Sequence, residues 1–300
     1  MLKIAYHSAY CHPLPEGHRF PMIKYELLPE QLLYEGTISR EQIHIPQQAN
    51  EQTVLRAHCS DYFKRLKNIL LSPREQRKIG FPLSPQLVER ELIISQGTVD
   101  CAYFALDNKI AMNVAGGTHH AYSNRGEGFC LLNDIAIGAL ELLAVQKAKQ
   151  ILIVDLDVHQ GNGTAEIFRE NDQVFTFSMH GAKNYPLKKE KSDLDIALPD
   201  HCSDDYYLSQ LKNILPPLID KVEPDFVFYL SGVDVLKTDK LGRLGLSIEA
   251  CKERDRFVFE QCRANNIPVA VSMGGGYSAK ISDIVNAHAN TFRLAQEVFF

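Results

Sequence analysis

Six short runs of apolar residues, separated by longer stretches of helical character, set the strongest limit on how this chain can fold. Each run has four or five residues, is rich in Val, Ile and Phe, and is apolar at nearly every position. Strands of this kind are typical of parallel sheets that are covered on both faces. The predicted strands cover residues 2–6, 110–114, 151–155, 174–178, 226–230 and 269–272.

Helix-start signals lie between these runs. Ser84 followed by Pro85 provides an N-cap and a first-turn proline for a helix towards Asn108, and Asn133 is a candidate N-cap for residues 134–147. Further helices are predicted from Ser203 towards Lys221, over 249–265 and over 278–298, whereas the less regular residues 1–75 are expected to wrap one sheet edge. Repeated strand–helix units predict an α/β fold, in three α/β/α layers around a mostly parallel central sheet.

Composition excludes several classes of protein. A hydrophobic fraction of 45% with 23% charged residues is globular, and a net charge of −5 argues against direct nucleic-acid binding. The 7 cysteines include no C-x-x-C pair, so neither a disulfide framework nor a cysteine-rich zinc site is predicted. With no signal sequence, no apolar stretch of ~18 residues and no linker, we expect one cytoplasmic domain over residues 1–300 without a membrane span.

The strongest chemical signal is ILIVDLDVHQGNG, residues 151–163, because ligands of parallel sheets bind where the strands end. If strand alternation continues, Asp155, Asp157 and His159 point to one face. Burying three such groups unpaired is costly, and a bound divalent cation removes that cost. Carboxylate with imidazole is a normal zinc ligand set. An ordinary strand end with an Asp–His hydrogen bond remains the alternative.

Two further strands end in polar residues. Asp234 follows the strand in FVFYLSGVD and is either a third metal ligand or an ordinary turn aspartate. His119 and His120 lie in NVAGGTHHAYSNRGEGFCLLND, a loop bounded by glycines. They are either a general base and a general acid or two ordinary loop histidines.

The last signal is VAVSMGGGYSAK, which presents Tyr277 after three glycines. Its hydroxyl is a candidate oxyanion donor, although for this segment alone a turn with a packed tyrosine is the favoured explanation. A catalytic zinc needs three protein ligands and an open position. The four segments together therefore favour metal-assisted hydrolysis of an amide or ester.

The motifs GGTHHA, GEGFCLLND, DLDVHQGNG, SGVD and GGGY, in this order and spacing, resemble the zinc-dependent histone deacetylase superfamily. The resemblance extends to HPLPEGHRFPMIKY near the start and DKLGRLGLS after Asp234. Within the superfamily, the sequence most resembles bacterial deacetylase-like proteins and class IV members. It implies the arginase/deacetylase fold. It also implies a zinc-dependent amidohydrolase that removes acetyl or longer fatty acyl groups from the Nε-amine of lysine in proteins or peptides.

The resemblance assigns roles to individual residues. Zinc would be bound by Asp157, His159 and Asp234. His120 would act as the base and His119 as the acid or an electrostatic partner. The remaining catalytic assignments are Tyr277 as donor to the scissile carbonyl, Asp155 as orienting partner of His119, and Asn162 beside His120, where class I members place an aspartate.

The resemblance also implies a substrate channel and structural cations. The channel residues would be Gly128, Phe129, Tyr185, Leu241, Gly275 and Gly276, with Arg19 near the internal cavity at the channel's foot. K⁺ or Na⁺ would be held by Asp155, Asp157, His159, Ser178 and Met179, and a weaker second site would use main-chain groups near Phe168, Asn171 and Val174.

Other classes of protein fit the sequence less well. Leu241 lies seven residues after Asp234, where polyamine-selective relatives place a glutamate, so a small acylated amine is the second choice of substrate. Gly161 lies two residues after His159, where the two-manganese arginase-type enzymes carry another carboxylate. A site for one metal is therefore favoured over a site for two. A non-hydrolytic acyl-lysine-binding protein would have lost a ligand or the tyrosine, and none is lost. A purely structural metal needs a fourth ligand, for which His180 is the nearby candidate.

The segment YPLKKEKSDLD carries the remaining positive charge of interest. Lys188, Lys189 and Lys191 could flank the channel mouth, and a solvated loop is favoured over a docking patch for an acidic partner. The oligomeric state is left open.

Overall fold

The computed structural model describes all 300 residues, Met1–Phe300, and confirms the predicted α/β fold. Eight strands form one sheet in the order β2-β1-β3-β8-β7-β4-β5-β6, and every pairing is parallel. The strands are β1 (Lys3–Ala5), β2 (Ile43–His44), β3 (Ile110–Asn113), β4 (Ile151–Asp155), β5 (Val174–Gly181), β6 (Leu194–Leu198), β7 (Phe226–Leu230) and β8 (Val269–Ser272).

Layers of helices flank this sheet. The helices are α1 (Lys24–Tyr34), α2 (Glu51–Val54), α3 (Ser60–Lys67), α4 (Pro73–Ile79), α5 (Pro85–Asn108), α6 (Asp134–Ala144), α7 (Asn162–Ile167), α8 (Asp204–Val222), α9 (Ile248–Ala264) and α10 (Ile281–Phe299). Helix α5 packs on α6 and on the strands β1, β3 and β8, whereas α1, α10, α9 and α8 pack in succession. None of the helices combines the length and the apolar character that crossing a membrane requires.

The predicted N-caps are present. Ser84 accepts a hydrogen bond from the main-chain N–H of Leu87, and Asn133 accepts one from that of Ala136. Ser203 caps α8 in the same way. Helix α6 ends three residues before the predicted boundary and α10 begins three residues after it, at the helix termini where sequence signals are weakest.

Strands β4, β7 and β8 have the predicted bounds, but the sequence analysis missed β2 and β6. These two strands form the edges of the sheet, and most of their side chains are only partly buried. A strand that is not covered on both faces does not need a continuous apolar run, so the pattern used for the central strands could not detect it.

The strand order explains why the reactive loops meet. Strands β3, β8, β7 and β4 are consecutive neighbours, and they are the strands that the four candidate segments follow. Because all four are parallel, their carboxyl ends lie along one edge of the sheet. The topology therefore delivers four loops, distant in sequence, to one place.

A buried ion pair fastens two of these strand ends. The guanidinium of Arg254, on α9, donates to the carbonyl oxygens of Leu156 (3.2 Å) and Gly232 (2.6 Å), which follow β4 and β7. Its Nε also donates to Asp255 Oδ1 at 2.9 Å, and neither side chain of this pair is exposed. Asp255 in turn accepts a hydrogen bond from Thr291 on α10. Helix α9 thus holds the ends of β4 and β7 in register.

Arg254→Met should lower the free energy of unfolding by about 3–5 kcal/mol, because Asp255 would remain buried without its cation. Denaturant unfolding followed by circular dichroism measures this change. The matched control is Arg256→Met on the same helix, whose partner is the surface residue Glu297. Exposed ion pairs contribute little, so this control should unfold close to the wild type. Equal effects of the two substitutions would contradict the anchoring role of Arg254.

Candidate active site

Three candidate metal ligands converge in a buried cluster at the carboxyl ends of β4 and β7. The ligand atoms of Asp157, His159 and Asp234 all lie within 4.8 Å of one another. Nδ1 of His159 is 3.0 Å from Oδ1 of Asp157 and 3.1 Å from Oδ2 of Asp234. The structure therefore brings together the set that the sequence singled out.

The local reason for this convergence differs from the predicted one. Strand β4 ends at Asp155, so the alternation of strand side chains does not continue to Asp157 and His159. Instead, the carboxylates bind the main chain that follows. Oδ1 of Asp155 accepts from the N–H of Asp157 (3.1 Å), and Oδ1 of Asp157 accepts from the N–H of His159 (2.9 Å). Asp234 Oδ1 accepts from the N–H of Val158 at 2.9 Å, which joins the two loops.

Two glycines allow the carboxylates to approach each other. A Cβ at Gly275 would overlap Oδ2 of Asp234, and one at Gly232 would overlap Oδ2 of Asp157. The N–H of Gly275 donates to Oδ2 of Asp157 at 2.8 Å. Gly275 lines an inner cavity at this site, whereas Gly276 does not. Gly276 is buried between Gly275 and Tyr277, where an added Cβ would meet Val233, so its place in the channel stays a prediction.

The cluster fits a divalent cation. Oδ2 of Asp234 is buried, and its contact with Nδ1 of His159 lacks hydrogen-bond geometry, so this oxygen has no hydrogen-bond partner. Burial and the adjacent Asp157 raise the pKa of Asp234 to about 7, so two ionised carboxylates are unfavourable here without a counter-charge. Two carboxylates and one imidazole that leave a position open match a catalytic zinc site. The residues suit the metal that the family resemblance implies.

The tandem histidines lie beside this cluster with contrasting partners. Nδ1 of His119 is 2.7 Å from Oδ2 of Asp155, whereas Nδ1 of His120 is 2.6 Å from Oδ1 of Asn162. Their ring centroids are 4.2 Å apart, and both rings are buried. Nδ2 of Asn162 donates to the hydroxyl of Tyr122 at 2.9 Å, a partner that the sequence analysis missed.

These partners separate the two histidines electrostatically. Burial opposes the charged form of His119, but the carboxylates of Asp155 and Asp157 outweigh burial and raise its pKa to about 8. Burial, together with the neighbouring His119 and His159, holds the pKa of His120 well below its ordinary value. Adjacent groups whose pKa values are pushed apart are typical of an acid and base pair.

Tyr277 faces the same cavity from the loop after β8. Burial, with Asp234 and Asp157 nearby, raises the pKa of Tyr277 well above its ordinary value, so its hydroxyl stays protonated. Two residues that the sequence analysis missed hold this loop. Asp239 accepts from the N–H of Tyr277 at 2.6 Å, and Nζ of the buried Lys24 donates to the carbonyl of Gly274 at 3.1 Å. Both lie in segments quoted for the family resemblance, but neither carried a signal of its own.

An outer and an inner cavity meet at the site. The outer one has a volume of about 270 Å³, and its lining includes Gly128, Phe129, Tyr185 and Leu241, the expected channel residues. The inner cavity has a volume of about 40 Å³. Its wall beyond the histidines is formed by Phe20, Tyr25, Arg90 and Ile94.

The predicted position of Arg19 is wrong. This side chain is exposed at the outer cavity, with its guanidinium carbon 4.9 Å from the centre of the Phe129 ring. Its neighbour Phe20 is buried and takes the inward position, where its ring packs against those of Phe81, Phe129 and Tyr277. Arg90, on α5, is the arginine at the inner cavity.

The residues expected to bind a monovalent cation are also adjacent. Ser178 on β5 is the register partner of Asp155 on β4, and Met179 follows it. The hydroxyl of Ser178 is 3.0 Å from Nδ1 of His180. The second set forms a turn in which the N–H of Asn171 donates to the carbonyl of Phe168 and the N–H of Val174 to that of Asn171. Binding of K⁺ or Na⁺ at either place stays a prediction.

The lysine-rich loop does not line the channel. None of Lys188, Lys189 and Lys191 contributes to either cavity. The ammonium group of Lys189 instead donates to the carbonyls of Asn184 and Pro186. This lysine fastens the segment that carries Tyr185.

Known proteins share both the sequence pattern and the fold. The model of the histone deacetylase domain matches residues 18–292. The chain belongs to the histone deacetylase family. This deacetylase homologue is 44% identical to an uncharacterised protein of Picosynechococcus, over 99% of both chains. It is 26% identical to histone deacetylase 2 of Arabidopsis thaliana, covering 95% of this chain and 76% of that protein.

Solved structures show the same architecture. The histone deacetylase homologue of Aquifex aeolicus matches with a TM-score of 0.83 and 24% identity, over 97% of this chain and 82% of that one. The HD domain of HDA15 matches with a TM-score of 0.81 and 20% identity, over 96% and 89%. The fold of this deacetylase homologue is thus the arginase/deacetylase-like one, and its family supports a deacetylase-type amidohydrolase.

Asp157→Ala and Asp234→Ala should each abolish stoichiometric zinc binding, because each removes a carboxylate from the buried cluster. Elemental analysis after equilibration with zinc and dialysis measures the metal content, and circular dichroism verifies folding. The control is His180→Gln, which tests the spare histidine and should retain one zinc per chain. Full zinc retention in either alanine variant would refute the ligand assignment. Loss in the His180 variant would instead favour a structural site with a fourth ligand.

Proposed function

We propose that this protein is a zinc-dependent hydrolase that removes short acyl groups from the Nε-amine of lysine in a protein or peptide, with acetyl as the preferred group. The observation that carries the proposal is the contrast between the two tandem histidines beside the Asp157, His159 and Asp234 cluster. This arrangement lies at the inner end of a channel lined by Phe129 and Tyr185. A metal site, a neutral base and a charged neighbour in one buried place suit hydrolysis of an amide.

His120 is suited to act as the base. The amide oxygen of Asn162 can only accept a hydrogen bond, so Nδ1 of His120 carries the proton and Nε2 is free to accept one. Its lowered pKa keeps the ring neutral before the reaction. Asn162 thereby fixes the tautomer in which Nε2 takes a proton from the attacking water.

His119 complements this base. Its contact with Asp155 and its raised pKa keep the imidazole charged. A charged His119 stabilises negative charge that develops on the substrate, and it holds a proton for the departing lysine amine. Zinc bound by Asp157, His159 and Asp234 would activate the water and polarise the acyl carbonyl.

Tyr277 is suited to donate to the oxyanion. Its hydroxyl group stays protonated, and its main chain is held by Asp239. A donor that is already oriented in a dry site stabilises the transition state without the cost of reorganisation. The hydrogen bond from Tyr277 would thus strengthen as the carbonyl oxygen gains charge.

The inner cavity supports a short acyl group. One buried water needs roughly 10–15 Å³ on this scale, so a cavity of about 40 Å³ holds about three waters. Phe20, Tyr25 and Ile94 close it with bulky side chains. An acetyl methyl group fits this space, whereas a long fatty acyl chain would require the wall to move.

Tyr277→Phe should lower kcat for an acetyl-lysine peptide about 10²–10³-fold, because one oxyanion donor is lost, while the zinc content is unchanged. A coupled assay of released acetate measures the rate. Tyr206→Phe, at an exposed position on α8, is the control and should match the wild type. An unchanged rate in the Tyr277 variant would exclude its oxyanion role. Failure of the zinc-loaded wild type to cleave any acyl-lysine peptide would overturn the proposed function.

A series of acyl-lysine peptides from acetyl to myristoyl should show kcat/KM falling as the chain grows. Ile94→Ala enlarges the inner cavity and should raise the hexanoyl to acetyl ratio of kcat/KM. Ile93→Ala is the matched control, since Ile93 is also buried on α5 but does not line the cavity. Preference of the wild type for myristoyl-lysine would contradict a short-acyl site.

A further inference from the structure

The mouth of the channel is cationic. Four positive side chains line the outer cavity, and none of its lining residues is acidic. They are Arg19, Lys78, Lys183 and Arg243. The whole chain carries a net charge of −5, so the mouth has the opposite sign to the molecule as a whole.

Two of these cations are held over the channel wall. The carbonyl of Lys78, in the last turn of α4, accepts from the N–H of Gly128 at 3.0 Å, and that of Ile79 accepts from the N–H of Phe129 at 2.7 Å. This main-chain pairing keeps Lys78 beside the wall residues. Arg19 lies over the Phe129 ring, and neither Arg19 nor Lys78 has an acidic partner within ion-pair distance.

The other two cations, Lys183 and Arg243, lie close to each other at the same cavity. Arg243 and Lys183 share one carboxylate, Asp200, at 2.6 Å and 3.7 Å. Asn184 holds this side by accepting from the N–H of Arg243 (3.1 Å) and donating to the carbonyl of Leu241 (2.9 Å). Because Asp200 compensates one positive charge of the four, the mouth keeps an excess of positive charge.

A further carboxylate beside the channel wall, that of Glu127, is already engaged. Glu127 accepts a hydrogen bond from the hydroxyl of Tyr185 and lies 3.6 Å from Nε of Arg125. It does not line the outer cavity. The positive field at the mouth is therefore available to a substrate.

We propose that the channel mouth selects acyl-lysine residues flanked by Asp or Glu in peptides or proteins. This inference rests on the proposed function, because it concerns the segments on either side of the lysine that enters the channel. The guanidinium of Arg19 offers a planar pair of donors to a carboxylate, and Lys78 adds a mobile charge. Basic flanking residues and acylated polyamines would meet charge of the same sign.

The test uses three acetyl-lysine peptides of equal length whose flanking residues are Asp and Glu, Asn and Gln, or Lys and Arg. For the zinc-loaded wild type, kcat/KM should fall in that order, with roughly a five- to tenfold range at low salt from two or three exposed ion pairs. High salt should compress this range, because exposed charges are screened. Equal kcat/KM values at low salt would overturn the inference.

Matched double variants identify the charges responsible. Arg19→Gln with Lys78→Gln should remove most of the preference for the acidic peptide. Lys188→Gln with Lys191→Gln makes the same change of charge on the nearby loop outside the mouth and should leave the preference intact. A preference that survives the first double variant, or disappears in the second, would overturn the assignment to the mouth.

Fluorescence anisotropy of the same labelled peptides, measured on zinc-loaded Tyr277→Phe, reports binding without turnover. The acidic peptide should bind five- to tenfold more tightly than the basic one, roughly as exposed ion pairs allow. Lack of hydrolysis by the wild type with this binding order intact would refute the proposed function but not the charge preference. Hydrolysis with equal binding of all three peptides would refute the charge preference alone.

Discussion

The rest of the site depends on one electrostatic constraint: the carboxylates of Asp157 and Asp234 are buried beside the imidazole of His159, and Nε2 of His119 lies 3.8 Å from Asp157. Two like charges in a dry environment are unfavourable unless donors and a cation surround them. Main-chain N–H groups satisfy three of the four carboxylate oxygens, and the fourth, Oδ2 of Asp234, has no hydrogen bond. The backbones of Gly232 and Gly275 can lie directly against these carboxylates because neither residue has a side chain. The buried Arg254 holds the loop of Gly232 in place by donating to its carbonyl oxygen.

Burial and the charges of this cluster shift the pKa values of the neighbouring residues in different directions. The pKa of His119 is raised because the carboxylates of Asp155 and Asp157 face it, whereas the pKa of His120 is lowered because this ring is buried beside two other imidazoles. Tyr277 keeps its proton because negative charge lies nearby. Burial and neighbouring charge thus separate the pKa values of ordinary side chains, and this separation is what the proposed base, acid and hydrogen-bond donor would require near neutral pH.

In the proposed function, two groups of residues outside this cluster would select the substrate. The inner wall of Phe20, Tyr25 and Ile94 would limit the acyl group by volume, while the cationic mouth would act on the flanking segments by charge. Residues 19 and 20 show how closely the two groups adjoin, since Arg19 is at the mouth and Phe20 is at the foot. A change in the path of this short segment would alter both forms of selectivity at once.

The sequence by itself determined the features encoded within a few residues. The bounds of β4, β7 and β8, the caps at Ser84 and Asn133 and the family motifs were all readable, because periodicity and capping are local. Only the tertiary structure showed that Arg90, and not Arg19, lines the inner cavity. It also showed that Lys24, Asp239 and Arg254 bind the loops of the site through hydrogen bonds. These outcomes depend on contacts between residues far apart in the chain. In irregular segments no repeat fixes the direction of a side chain, so long-range packing decides it.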